Sequence, residues 1–128
     1  MKEETKRWIS YSEENFEAAK ILLDSGLYNT CLHNIQQAVE KALKSLFIEE
    51  NIPFKNTHNI LELKTILNKS KIEVELSEDE CDFFDSIYLP TKYPVGSALP
   101  SFYPDEGICQ DSVSLTEKVI KNVKELIK

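Results

Sequence analysis

The chain has 128 residues, 41% of them hydrophobic, and its 22 acidic residues against 15 basic ones give a net charge of −7. That length fits a single domain, residues 1–128, able to build its own core. The acidity excludes strong non-specific affinity for nucleic acid, which depends on Lys and Arg neutralising phosphates, and would suit a basic partner. Three widely spaced cysteines, Cys31, Cys81 and Cys109, do not suggest a disulfide framework, and each sits where a free thiol behaves as a small hydrophobe. Met1–Arg7 leads into an amphipathic stretch rather than a signal region, and no apolar run approaches the ~18 residues that span a bilayer, so no membrane contact and a cytoplasmic protein are expected.

A first helix is predicted from about Glu3 to Asp24, with Trp8, Tyr11, Asn15, Ala18, Ala19, Leu22 and Leu23 repeating at three and four as its packed stripe. Ser25-Gly26 closes it, glycine reaching the left-handed conformation that follows a helix end. A second helix follows from about Tyr28 to Glu50, and the short connection makes the two antiparallel neighbours. Its apolar residues, from Tyr28 and Cys31 to Leu43 and Leu46, fall within an arc of roughly 140°. His33, Gln37, Glu40, Lys41 and Lys44 fall on the opposite side, with Gln36 near its edge. An ordinary solvated face would be mostly Lys and Glu; this one carries a histidine and adjacent glutamines.

A loop around Pro53 precedes a third helix carrying Ile60, Leu61, Leu63, Ile66 and Leu67, with Thr57 or Asn59 available as its cap. Lys69 to Leu76 reads as irregular. Ser77-Glu78-Asp79-Glu80 is a capping box opening a fourth helix, with Cys81, Phe84, Ile87 and Tyr88 on one side. From Pro90 to Gly107, four prolines exclude a continuous helix, while Tyr93, Phe102 and Tyr103 mark a loop docked on something. The last helix is predicted from about Ile108 to Ile127. No segment alternates as a strand. The class is all-α, an up-and-down bundle of four long helices or five with a short one.

Of the two histidines, His33 lies on the polar side of the second helix, and His58 at the start of the third reads as tying its loop down by a hydrogen bond. Metal binding is not expected: Cys31 and His33 are two apart on a helix and point to different faces. No nucleophile elbow or glycine-rich phosphate loop occurs, and no cofactor is implied.

Gln37-Ala38-Val39-Glu40-Lys41-Ala42-Leu43-Lys44 resembles the Q-A-x-E-K-x-L-K signature on the second helix of HEPN domains (higher eukaryote and prokaryote nucleotide-binding). Gly26-Leu27-Tyr28 before it and Thr57-His58-Asn59-Ile60 after it continue the likeness in order. Tyr88-Leu89-Pro90-Thr91-Lys92-Tyr93-Pro94 is similar to the family's Y-x-x-x-R-Y-P segment. The resemblance implies a HEPN-like helical bundle that forms homodimers, and Trp8, Ile9 and Phe16 on the first helix supply apolar surface for pairing. Many HEPN proteins are metal-independent ribonucleases, often toxins. Their Arg holds the scissile phosphate, and a His four to six residues on moves the proton of the 2′-hydroxyl. Here the Arg position carries Lys92, and Tyr93 to Leu99 contains no His. The expectation is therefore a nucleotide- or partner-binding domain of a two-gene module of the toxin–antitoxin type, beside a nucleotidyltransferase, without ribonuclease activity. His33, Gln37, Glu40, Lys41, Lys44, Lys92 and Tyr93 would line its groove for a nucleotide or RNA. Tyr93 or Tyr103 is a candidate for adenylation by such a transferase. The alternatives are a divergent endoribonuclease toxin using Lys92 with His33 or His58, and a structural dimerisation module.

Overall fold

In the computed structural model, residues 1–53, 56–92 and 104–128 are described, the side chains of 88–92 excepted. Five helices follow in order: α1 (Glu3–Asp24), α2 (Tyr28–Glu49), α3 (Ile60–Lys69), α4 (Glu78–Lys92) and α5 (Glu106–Ile127). No strand occurs among the described residues, as the helical periodicity required.

The same stop closes the first three helices. After α1, Gly26 at φ 74° lets its N–H reach Leu23 O at 3.0 Å while the Leu27 N–H reaches Leu22 O at 2.9 Å. That paired pattern satisfies the last carbonyls of the helix. Asn51 at φ 55° does the same after α2, where the Ile52 N–H meets Phe47 O at 2.9 Å, and Lys71 at φ 65° after α3. The starts differ. Ser77 and Glu80 form the expected reciprocal box before α4, at 2.8 and 3.1 Å, and the Asp105 side chain caps α5 by accepting from Ile108 N at 2.8 Å.

α4 continues to Lys92, two residues past Pro90, where the sequence is expected to have left the helix. Pro90 lies in the last turn, where its missing N–H removes one ladder bond from a helix about to end.

α2 is the centre of the molecule, packed by α1, α3, α4 and α5. Its apolar arc from Cys31 to Phe47 forms the middle of one core cluster, with Phe84 and Ile87 of α4, Leu63 and Leu67 of α3, and Val119 and Val123 of α5. α1 approaches closely because Ser12 faces it with a small side chain whose hydroxyl donates to Ala38 O at 2.6 Å. The buried face of α1 is Thr5, Ile9, Ser12, Phe16 and Ala19, so the expected stripe holds at Ala19 and at Leu22 and Leu23, which pack against the core, but not before them. Trp8, Tyr11, Asn15 and Ala18 each stand one position, about 100°, away from it; Tyr11 is 52% exposed. Two small hydroxyl residues on the inner face misled the periodicity. The shift also removes two of the three residues expected to mediate pairing: Ile9 and Phe16 are buried in this chain's own core.

Candidate functional site

The polar row of α2 is partly interior: Gln36, Glu40 and Lys44 are buried, while His33, Gln37 and Lys41 are half-buried. Because α1 flanks α2 on one side and the start of α3 reaches it on the other, Gln36 is fully buried and Glu40 and Lys44 are each 4% exposed. The groove residues Glu40 and Lys44 are therefore corrected to internal ones.

Charges cannot be buried alone, and the network shows how these are held. One Glu40 oxygen, Oε2, accepts from the Lys44 ammonium at 2.9 Å; the other, Oε1, meets His58 Nδ1 at 2.8 Å. Gln36 Nε2 donates to His58 O at 3.1 Å and Glu40 Oε1 at 3.4 Å, and the Gln37 amide donates to Gln36 Oε1 at 2.8 Å. On the α1 side, Lys41 Nζ donates to Asn15 Oδ1 at 2.7 Å and sits 6.0 Å from the Tyr11 ring centre, while Lys44 Nζ is 5.9 Å from the Trp8 ring. Asn15 in turn donates to Asn34 Oδ1 at 2.9 Å. Trp8, Tyr11 and Asn15 thus face the lysines of α2. Periodicity alone places them in the core, and the signals against it are the polarity of Asn15 and the hydroxyl of Tyr11.

His58 is fixed from its own chain as well. Thr57 Oγ1 accepts from Asn59 N at 3.1 Å, and the Asn59 side chain, the actual cap of α3, accepts from Glu62 N at 2.7 Å. Asp85 of α4 completes the helix start, its two oxygens accepting from Ile60 N at 2.6 Å and Leu61 N at 3.2 Å. Burial pushes the Asp85 carboxyl above its ordinary value, and those two backbone bonds offset only part of the rise. Asp85 went unnoticed in sequence because nothing local links it to a helix 25 residues earlier.

The histidine tie predicted for His58 is present. Its ring remains 44% exposed while Glu40 is 5% exposed, so a buried carboxylate orients a half-open imidazole. As an ionised carboxylate Glu40 can only accept, so it takes the Nδ1–H and selects one tautomer. His33 is half-buried, seven residues or about 10 Å back along α2. Lys92 is the last residue of α4, two turns beyond Asp85. The Lys92 side chain, Tyr93 and Tyr103 lie outside the described residues. The structure therefore joins Gln37, Glu40, Lys44 and His58 and links Lys41 to α1, and His33 lies one turn before Gln37 on α2. No group of three or more His, Cys, Asp or Glu among the described residues could hold a metal ion. No helix among them is long and apolar enough to cross a membrane.

A sequence profile described as HEPN domain matches residues 5–126. The chain belongs to the HEPN domain family. Its relatives agree with the bundle described above. The Methanocaldococcus jannaschii protein named "Putative toxin MJ1304" is 27% identical over 129 aligned residues, covering 96% of this chain and 85% of its own length. Among solved structures, TT1696 from Thermus thermophilus superposes with a TM-score of 0.74 at 26% identity, covering 95% of this chain and 97% of that one. ST0689, described as an archaeal HEPN homologue, gives 0.73 at 26% identity with full coverage of both chains. The expected family and all-α HEPN fold are thereby established.

Proposed function

We propose that this HEPN domain acts by binding, as the nucleotide- or partner-binding half of a two-gene module with a nucleotidyltransferase, and does not cut RNA. The observation that carries this reading is that Lys92 is followed by no His up to Leu99. A lysine offers phosphate a point charge without the fork of an arginine, and the family's proton carrier has no counterpart in that window. Glu40 and Lys44 then serve as the interior support of the site. The ligand-facing residues are His33, Gln37 and Lys41, joined by Lys92 and Tyr93. Pairing into a homodimer belongs to the same proposal, with Tyr11 and Trp8 of α1 as its remaining apolar surface, as does a cytoplasmic location, which suits three free thiols.

The test is titration with adenine nucleotides followed by amide shifts, beside incubation with RNA under chelator. Shifts at Gln37 and Lys41 that vanish in Lys92→Ala, with RNA intact, are the expected result. Silence at those residues under saturating nucleotide leaves partner binding alone, and metal-independent cleavage overturns the reading.

One observation favours the toxin alternative in a specific form. The Glu40–His58 contact orients an imidazole as a general base requires, so an enzyme reading would use Lys92 with His58 rather than His33. Cleavage lost in His58→Ala and kept in His33→Ala would establish it.

A further inference from the structure

Around the bundle α5 packs on α1, α1 on α2, and α2 on both α4 and α5, but among the described residues α4 and α5 do not pack on each other. A groove lies between them. It consists of two cavities, of about 310 and 270 Å³, that share Glu80 and Leu115.

Its apolar part is the end where Phe83 and Leu115 meet, and the other lining residues are charged or polar. Phe83 of α4 and Leu115 of α5 are both half-buried there, with one side packed on the core, and Phe83 stands edge-on to the core residue Phe84 with ring centres 5.6 Å apart. Its rim is acidic. Asp79 and Asp111 flank one end, Glu75 and Glu125 the other, with Glu80 between them, against two cations, Lys118 and Lys121. Along α5 the lining runs from Asp111 to Glu125, about 21 Å of helix, the length of roughly four turns of a partner helix.

We propose that this groove is the docking site for one amphipathic helix of a basic partner protein. The apolar stripe of that helix lies on Phe83 and Leu115, and its Lys and Arg residues meet the carboxylates of the rim. A helix supplies a neighbour between α4 and α5, which do not pack on each other among the described residues. The charge selects the partner over a second copy of this chain, which would bring a further −7 to an acidic rim. The groove shares no residue with the polar row of α2, so this inference stands apart from the nucleotide reading.

The probe is a Leu/Lys amphipathic peptide of about five turns, ~18 residues, beside a peptide of the same composition with the stripe scrambled. Amide shifts are expected at Phe83, Asp111 and Leu115. Affinity should fall about tenfold in Asp79→Lys/Asp111→Lys and less than about twofold in Glu14→Lys/Asp24→Lys, an equal change of net charge placed on α1. Leu115→Glu, checked for retained helicity, should also abolish binding. Four results would overturn the proposal: equal weakening by the two charge reversals, equal binding of the scrambled peptide, shifts confined to other helices, or a dimer in solution that Asp79→Lys/Asp111→Lys splits, which would assign the groove to a second copy.

Discussion

Glu40 and His58, 18 residues apart in the chain, meet at 2.8 Å and bind the start of α3 to the middle of α2. The same carboxylate faces the Lys44 ammonium at 2.9 Å, with both side chains 5% exposed. A buried pair of this kind contributes little net stability compared with well-packed apolar residues, yet breaking it is costly. Glu40→Ala takes away the carboxylate that Lys44 faces and should cost about 3–5 kcal/mol in urea denaturation. The double change Glu40→Met/Lys44→Met should cost far less than the two single changes together. Additive losses would show that the two groups do not act as a pair.

The three thiols should be inert in the native state. Burial pushes Cys109 up to about 12 and Cys81 up to about 11, and it raises Cys31 as well, although a hydrogen bond with Cys109 offsets part of that rise. At pH 8 less than about one Cys81 or Cys109 in a thousand is then a thiolate. Iodoacetamide followed by mass spectrometry should find no label on the folded chain and three in denaturant. Early labelling at Cys31 or Cys109 would reveal opening at the starts of α2 and α5.

Much of this architecture is readable from residue order, and the parts that are not share one cause. The Ser77/Glu80 box, the Gly26 stop and the long apolar arc of α2 are local patterns, and each holds in the structure. The polar row of α2 reads as the lining of an open groove because a helix read alone has an inside and an outside. α2 has neighbours nearly all round, so Glu40, Lys44 and Gln36 went inward with partners from other elements. The bonds from Asp85 to the start of α3, and from Asn122, whose side chain accepts from Glu75 N at 2.8 Å, are equally invisible to local patterning. For α1, Thr5 and Ser12 in the buried face broke the rule that polar residues mark the surface.

Lys71 offers a gain in stability. It holds the left-handed position after α3 at φ 65°, where glycine carries no side-chain penalty. Lys71→Gly should raise stability by about 0.5–1 kcal/mol, reduced somewhat by the extra freedom of glycine in the unfolded chain. A loss in thermal or urea midpoint would mean that the lysine side chain contributes more than its backbone strain costs.

Asp85 predicts a pH dependence with a definite sign. Burial holds its native carboxyl above the ordinary 3.8, so the folded state keeps this proton more firmly than the unfolded state does. Stability from this group is then greatest below about 3.8 and falls as pH rises through the native value, levelling off above it. Referred to Asp85→Asn, which cannot ionise and can still accept from Ile60 N, the natural protein should lose stability on going from acid towards neutral pH. A difference that grows in the other direction would mean that the two backbone bonds outweigh desolvation.

The last prediction bears on catalysis. If the missing Arg/His pair is what silences the domain, Lys92→Arg with Ala98→His restores the family's spacing and should confer RNA cleavage in the presence of chelator. The natural protein should leave the same RNA intact. The comparison needs Glu40→Gln as a third arm, because that change keeps the side-chain shape while removing the charge that orients His58. Cleavage by the natural protein that falls in both His58→Ala and Glu40→Gln, with His33→Ala unaffected, would show that the base lies at the start of α3 and not in the window that follows Lys92. Cleavage in the restored variant that ignores Glu40→Gln would instead confine chemistry to the family's own window and leave the Glu40–His58 contact a structural tie.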